Sequence, residues 1–199
     1  MLAGLGGAHV EKSKLFMPGM KYIDGCPLAS YDAAARIAEM DKWGVTSTLV
    51  FPTISILPFP AEDQPLANAY CRAYNNWMID FSQGKQDRIW PVAIINWHDV
   101  EAATQELRRC INAGFKALFV PPETVGKKRP GDPSFDPIWA LCEEAKVPAC
   151  LHVVVRFSGA AVPFADWHST SPGPVFGFGL GATGQLIPAL TSLLTDQIF

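Results

Sequence analysis

The sequence predicts an α/β fold built on a parallel sheet, and three observations carry that prediction. A helical pattern followed by a short β-branched run recurs four times between residues 30 and 155. Glycine and proline punctuate the alternation, as at Gly44, Pro52, Gly84, Gly114, Pro121 and Pro148, and such alternation favours parallel strands joined by crossover helices. No GxGxxG follows any of the runs, which removes the dinucleotide-binding version of the fold. Doubly wound sheets and (β/α) barrels both remain open on the pattern alone.

Taken in order, residues 1 to about 29 hold glycines, prolines and the turn-like Met17-Pro18-Gly19 and Ile23-Asp24-Gly25, and read as an irregular lead-in. Ser30 is placed to cap the first helix, with Asp32 in its first turn near the positive end of the helix dipole. Ala33, Ile37 and Met40 share one face, and Gly44 is a natural left-handed terminator. Val45-Thr46-Ser47-Thr48-Leu49-Val50-Phe51 follows as a strand by β-propensity, closed by Pro52-Thr53.

Pro65 suits the first turn of the next helix. Leu66, Ala69, Tyr70, Ala73, Trp77 and Phe81 form an apolar stripe expected to be its buried face, with Tyr74 and Trp77 in the core. Arg88 to Ile95 is the second strand. Its Pro91 lacks an N–H, so the strand is expected to start after it or to lie at an edge. Asp99 caps a helix with Val100, Ala103, Leu107 and Ile111 inward and Gly114 at its end. Phe115 to Val120 is the third strand, stopped by Pro121-Pro122.

Asp136 is then expected to cap a helix with Pro137 at its first position and Ile138, Leu141, Cys142 and Ala145 buried. The chain passes into Pro148-Ala149-Cys150-Leu151-His152-Val153-Val154-Val155, a buried strand carrying one imidazole. Residues 156–182, rich in small residues, prolines and glycines, read as a loop-rich insertion. A last apolar helix runs from about Thr183 to Leu194 with Leu186, Ile187, Leu190 and Leu193 inward. All of this makes one domain of 199 residues.

Composition excludes several functions. The chain is 49% hydrophobic and 18% charged with net charge −3, so it is neither disordered nor a nucleic-acid binder by charge. Its one basic triplet, Lys127-Lys128-Arg129, reads as a solvated loop. No apolar run reaches the roughly 20 residues of a membrane span, and no signal-peptide pattern opens the chain. Five scattered cysteines without a CxxC pair argue for reduced thiols, a cytoplasmic location and no zinc–thiolate site. The glycine-rich stretch 177–184 follows no strand and lacks phosphate-loop spacing.

Several segments in order carry a family resemblance. They are Ala35 to Asp41 with Gly44-Val45, Phe51-Pro52-Thr53, Ala67 to Trp77 and Asp87-Arg88. Glu106 to Arg109 follow with Gly114-Phe115-Lys116, then Asp132-Pro133 with Phe135 to Trp139, Val147-Pro148 and Leu151-His152. Together they resemble the amidohydrolase-related metal-dependent hydrolases, a group that includes aminocarboxymuconate-semialdehyde decarboxylase and related non-oxidative decarboxylases. The resemblance implies a (β/α)8 barrel with its site at the strand C-termini. It also implies that His152 is a ligand of a divalent ion, zinc in most members.

The family pattern adds an HxH pair on the first strand and an aspartate on the last. No HxH occurs here, and His9 stands alone in a segment without strand character, as an ordinary exposed residue would. Strands near 46–51, 90–95, 115–120 and 149–155 account for about four of the eight βα units. The resemblance therefore implies that the first and last three strands are missing and that the aspartate lies beyond residue 199. Asp196, at a helix end, does not match it.

The remaining candidates follow the strands. His168 and Arg156, after the histidine strand, are the expected catalytic acid and carboxylate contact. Their alternative is plain solvent exposure. His98 is either a site residue or a neighbour of a helix cap. Asn75 and Asn76, unfavourable in mid-helix, are expected to bond a neighbouring loop, while Glu39, Asp41, Glu106, Arg108 and Arg109 read as solvated helix faces. The expected activity is hydrolysis of a C–N or C–O bond, or decarboxylation, of a small carboxylic or aromatic substrate. The competing expectation is an inactive remnant acting through packing or pairing with another chain, a homo-oligomer included.

Overall fold

A computed structural model describes residues 26–52, 63–154 and 174–198, with side chains of the last segment described from Gly184 onward. Its order is α1 (Ala33–Trp43), β1 (Thr48–Val50), α2 (Gln64–Ser82), β2 (Ile89–Ala93), α3 (Val100–Asn112), β3 (Ala117–Val120), α4 (Asp136–Ala145), β4 (Ala149–Leu151) and α5 (Pro174–Thr195). The strands pair in the order β1-β2-β3-β4, all parallel. A doubly wound sheet reverses its strand order at a switch point. Here each strand pairs with the next in sequence and a helix crosses between each pair, which is the topology of half a (β/α)8 barrel.

Local chemistry accounts for the ends of the elements. Asp32, not Ser30, caps α1: its carboxylate accepts from Ala35 N at 2.7 Å, while Ser30 ends a short 3-10 turn, Leu28–Ser30. Gly44 closes α1 in the left-handed region, at φ 68°. Asp63 and Asp99 cap α2 and α3 through Leu66 N and Ala102 N. Asp136 is the first residue of α4 rather than its cap; Asp132 instead caps the preceding 3-10 turn, Pro133–Phe135.

Two expectations about strands are corrected. Pro91 lies within β2, an interior strand. Its carbonyl accepts from Lys116 N at 3.0 Å, so its polar groups point toward β3 rather than β1. The β2–β3 register starts only at Val92↔Ala117, and the missing N–H falls before β3 begins. β4 ends at Leu151, so His152 stands just past the strand rather than within it. Its N–H still extends the ladder to Val120 O at 3.2 Å.

Most of the apolar stripe expected to bury α2 faces outward instead, and of its members Phe81 is the buried one. Leu66, Tyr70 and Trp77 are 43%, 54% and 43% exposed. The inward face is Ala67, Cys71, Asn75, Met78 and Phe81, with small residues where the helix lies close to the sheet. Helix α5 begins at Pro174, inside the stretch expected to be loop. Its buried described positions include Ala189, Ser192 and Leu193, whereas Ile187, Leu190 and Leu194 are exposed.

Alternation along the strands separates two apolar groups. Ala93, Ile95, Leu118 and Val120 join the main core with residues of α3 and α4, among them Leu107, Cys110, Ile138 and Leu141. Val92, Ile94, Ala117 and Phe119 form a second cluster, flanked by Phe51 and Cys150. That second face is the inner wall of the half-barrel. No helix among the described residues is long and apolar enough to cross a membrane.

Candidate active site

Parallel strands of a barrel deliver their C-terminal ends to one side, and this chain places Phe51, Ile94 to His98, Pro121-Pro122 and His152 there. His152 follows Cys150 by two residues, so its ring falls on the inner face. It lies between two aromatic rings, with centroids 5.1 Å from Phe51 and 5.6 Å from Phe119. Its Nδ1 is 2.9 Å from Val153 O. A carbonyl oxygen only accepts, so in the neutral ring this contact places the proton on Nδ1 and leaves the Nε2 lone pair for another partner.

Around the end of β2 the chain builds a polar network that sequence reading missed. Asn96, buried, donates from Nδ2 to Gln64 Oε1 at 2.7 Å and to Asn68 Oδ1 at 2.8 Å. Asn68 in turn donates to the helix cap Asp99 at 3.0 Å. The signal was an asparagine directly following the apolar run Val92 to Ile95. His98 is exposed, and its backbone N–H donates to Asn96 Oδ1 at 3.2 Å.

Behind β2 lies a charged network that the sequence placed on solvated faces. Asn75 is fully buried and Glu106 is 8% exposed. Asn75 accepts from Ile94 N at 3.1 Å and donates to Ile94 O at 2.9 Å. It therefore binds backbone just past the end of β2, in the connection leading to α3, which is the neighbouring-loop contact expected for it. Asn75 also donates to Glu106 Oε1 at 2.9 Å, and Arg109 grips both oxygens of Glu106 at 2.9 and 2.6 Å. Burial raises the Glu106 pKa, but the Arg109 and Asn75 hydrogen bonds with the charges of Arg109 and Arg72 outweigh it and hold the carboxyl below its ordinary value. A cavity of about 220 Å³ between α2 and α3 opens beside this network, lined by Asn68, Arg72, Asn96 and Glu106 among others.

The β3–α4 loop is docked onto α5. Arg129 makes two 2.6 Å bonds to Asp196, so one member of the basic triplet is paired rather than freely solvated. Gly131 N donates to Ser192 Oγ at 3.0 Å. Between loop and helix is a cavity of about 400 Å³ lined by Pro122, Arg129, Gly184, Gln185, Pro188 and Ser192 among others.

Of the sequence-predicted site residues, His152 is at the expected strand end, while His9, Arg156 and His168 lie outside the described residues. Among the described residues no three of His, Cys, Asp and Glu come together as a metal-binding group. His152 is thus a single imidazole at a strand end, with Nε2 outside the Val153 contact, and no group of three such side chains surrounds it among the described residues.

A parallel half-barrel with these groups at its strand C-termini falls in the (β/α)-barrel class. The chain belongs to the amidohydrolase family Amidohydro_2, whose model matches residues 27–190. It is similar to gamma-resorcylate decarboxylases. That of Rhizobium sp. is 28% identical over 175 residues, 81% of this chain and 51% of the relative. That of Rhizobium radiobacter is 28% identical over 130 residues, 59% of this chain and 37% of the relative. The chain thus spans about half or less of the length of these curated relatives.

Solved structures share the fold. An amidohydrolase from Mycobacterium avium subsp. paratuberculosis superposes with TM-score 0.70 at 21% identity, over 92% of this chain and 50% of that one. A dihydroxybenzoic acid decarboxylase from Polaromonas sp., with bound manganese and the inhibitor 2-nitroresorcinol, gives TM-score 0.66 at 20% identity, over 95% and 56%.

Proposed function

We propose that this chain carries the His152 strand of a divalent-metal-dependent, non-oxidative decarboxylase of hydroxylated benzoates. The observation that carries the reading is the contact of His152 Nδ1 with Val153 O, 2.9 Å, which leaves Nε2 outside that bond on a ring set between Phe51 and Phe119 at a barrel strand end. Metal-binding histidines characteristically spend their second nitrogen in this way. The names of the similar decarboxylases supply the substrate class. His152 Nε2 would hold the ion, which when bound supplies Lewis acidity at a substrate oxygen. The family resemblance favours zinc, and the manganese of the Polaromonas protein makes Mn²⁺ the second ion to test.

The chain's own residues take defined parts. Phe51 and Phe119 flank His152 and offer apolar ring faces to a planar substrate while displacing water. Arg156 is assigned the substrate carboxylate, which a guanidinium binds in a bidentate manner. In the reaction the bond between ring carbon and carboxyl breaks, CO2 leaves, and the electron pair remaining on the ring carbon takes a proton. His168 is assigned that proton transfer. No oxidant or reductant is consumed.

Purified chain is tested for Zn²⁺ and Mn²⁺ content and for CO2 release from 2,6-dihydroxybenzoate, beside His152→Ala. The expected result is metal in the parent and at least about a tenfold weaker metal affinity in the variant. Unchanged metal binding in His152→Ala removes His152 from the ligand set and the reading with it.

A further inference from the structure

We infer that Gln185, on α5, is a positioning residue for His152, acting through the single peptide group between Val153 and Val154. The inference rests on the reading of His152 as a metal ligand. Gln185 Oε1 accepts from Val154 N at 3.2 Å, and Val153 O faces His152 Nδ1 at 2.9 Å. Those two backbone atoms belong to one planar unit, and the described chain has no cis peptide. In a trans peptide the N–H and C=O point in opposite directions, so whatever orients the N–H also orients the carbonyl. Gln185 holds one end of the plate, and the imidazole is docked on the other.

The local sequence makes this clamp necessary. β4 ends at Leu151, so the Val153–Val154 peptide lies beyond the described ladder and receives no orientation from β3. Val154 is buried, where an unpaired N–H costs free energy, and Gln185 is the partner that satisfies it. Donation from Val154 N also polarises the peptide and strengthens Val153 O as an acceptor. The consequence for His152 is a fixed tautomer, Nδ1–H, with Nε2 left open. Free imidazole in water has no such constraint.

The experiment uses the full chain with 15N-labelled histidine, metal-free, at a pH above the ordinary imidazole range, and reads the His152 tautomer by long-range 1H–15N correlation. The parent is expected to show the Nδ1–H form. Gln185→Leu removes the acceptor and is expected to shift His152 toward a mixture, with about tenfold weaker Mn²⁺ binding. Gln185→Glu retains an oxygen acceptor and is expected to restore the parental tautomer and affinity. Rescue separates positioning from packing, since both substitutions alter α5 and circular dichroism establishes that each folds. An unchanged tautomer in Gln185→Leu overturns the inference. So does a parent lacking the Nδ1–H form. A parent that binds neither Mn²⁺ nor Zn²⁺ removes the ligand reading alone, because the tautomer comparison still decides whether Gln185 orients the ring.

Discussion

Asn75 on α2 pairs with both backbone groups of Ile94, one residue past the end of β2, accepting its N–H at 3.1 Å and donating to its C=O at 2.9 Å. The carboxamide stands in for a neighbouring strand exactly where the ladder has run out, and its second amide hydrogen reaches Glu106. One side chain thereby ties α2, β2 and α3 together. Asn75→Ala should leave three buried polar groups without this partner. At roughly 1–3 kcal/mol for each unsatisfied buried group, partly relieved by relaxation, the loss should be at least about 2 kcal/mol. Urea unfolding measures it, and a change below about 0.5 kcal/mol would show the network to be dispensable.

Glu106 links that network to pH. Its folded-state pKa lies below the ordinary value of 4.5, so the folded state favours the ionised form. The corresponding stability is present above about pH 4.5 and disappears as pH falls through the lower folded value. Glu106→Gln should therefore be less stable than the parent at pH 7, with the gap narrowing below pH 4.5. Parallel denaturant titrations at pH 7 and pH 4 read the sign directly, and a gap that widens in acid contradicts the assignment.

The β/α alternation was legible because it depends on chain-wide periodicity and on glycine and proline punctuation, which tertiary context rarely overrides. Gly44 illustrates this: its left-handed φ of 68° is what its position after an apolar helical stripe demands. The face of α2 was not legible. A hydrophobic-stripe rule ranks Leu66, Tyr70 and Trp77 above Ala67, Cys71 and Asn75, but the buried positions need small side chains and one carboxamide matched to Ile94. That requirement belongs to the partner strand. For the same reason Glu106 and Arg109 read as solvated until Asn75 placed a donor beside them. His152 was legible as a strand-end group, whereas its tautomer depends on the Val153 carbonyl and could be found only in three dimensions.

The outward stripe of α2 makes a prediction of opposite kind. Since Leu66 and Tyr70 are largely exposed, Leu66→Gln and Tyr70→Lys should change unfolding free energy by no more than about 0.5 kcal/mol, the usual range for surface substitutions. Ala67→Gln, one position away and inward, should be severely destabilising because Ala67 has no exposure at all and the longer side chain has no space. Thermal unfolding of the three variants compares the faces within one helix. Equal losses at Leu66 and Ala67 would mean that the stripe is covered in the folded protein.

Cysteine reactivity tests the same packing without mutation. Cys71, Cys110 and Cys142 are buried and unpaired. Burial raises the thiol of Cys71 to about 12, with Glu106 adding to the effect, and that of Cys142 to about 11. Burial likewise pushes the Cys110 thiol up, with the Glu106 carboxylate beside it contributing. The thiolate is the reactive form, so these three should resist a thiol reagent at pH 7.5 on grounds of both access and ionisation. Cys26 is only half-buried and should label first. Cys150, also half-buried but with its thiol raised by burial, should follow more slowly. Mass-spectrometric mapping after brief labelling is expected to find Cys26 modified and Cys71, Cys110 and Cys142 intact until urea is added. Rapid labelling of Cys71 or Cys110 in the folded protein would mean that α2 and α3 do not close over β2 as described.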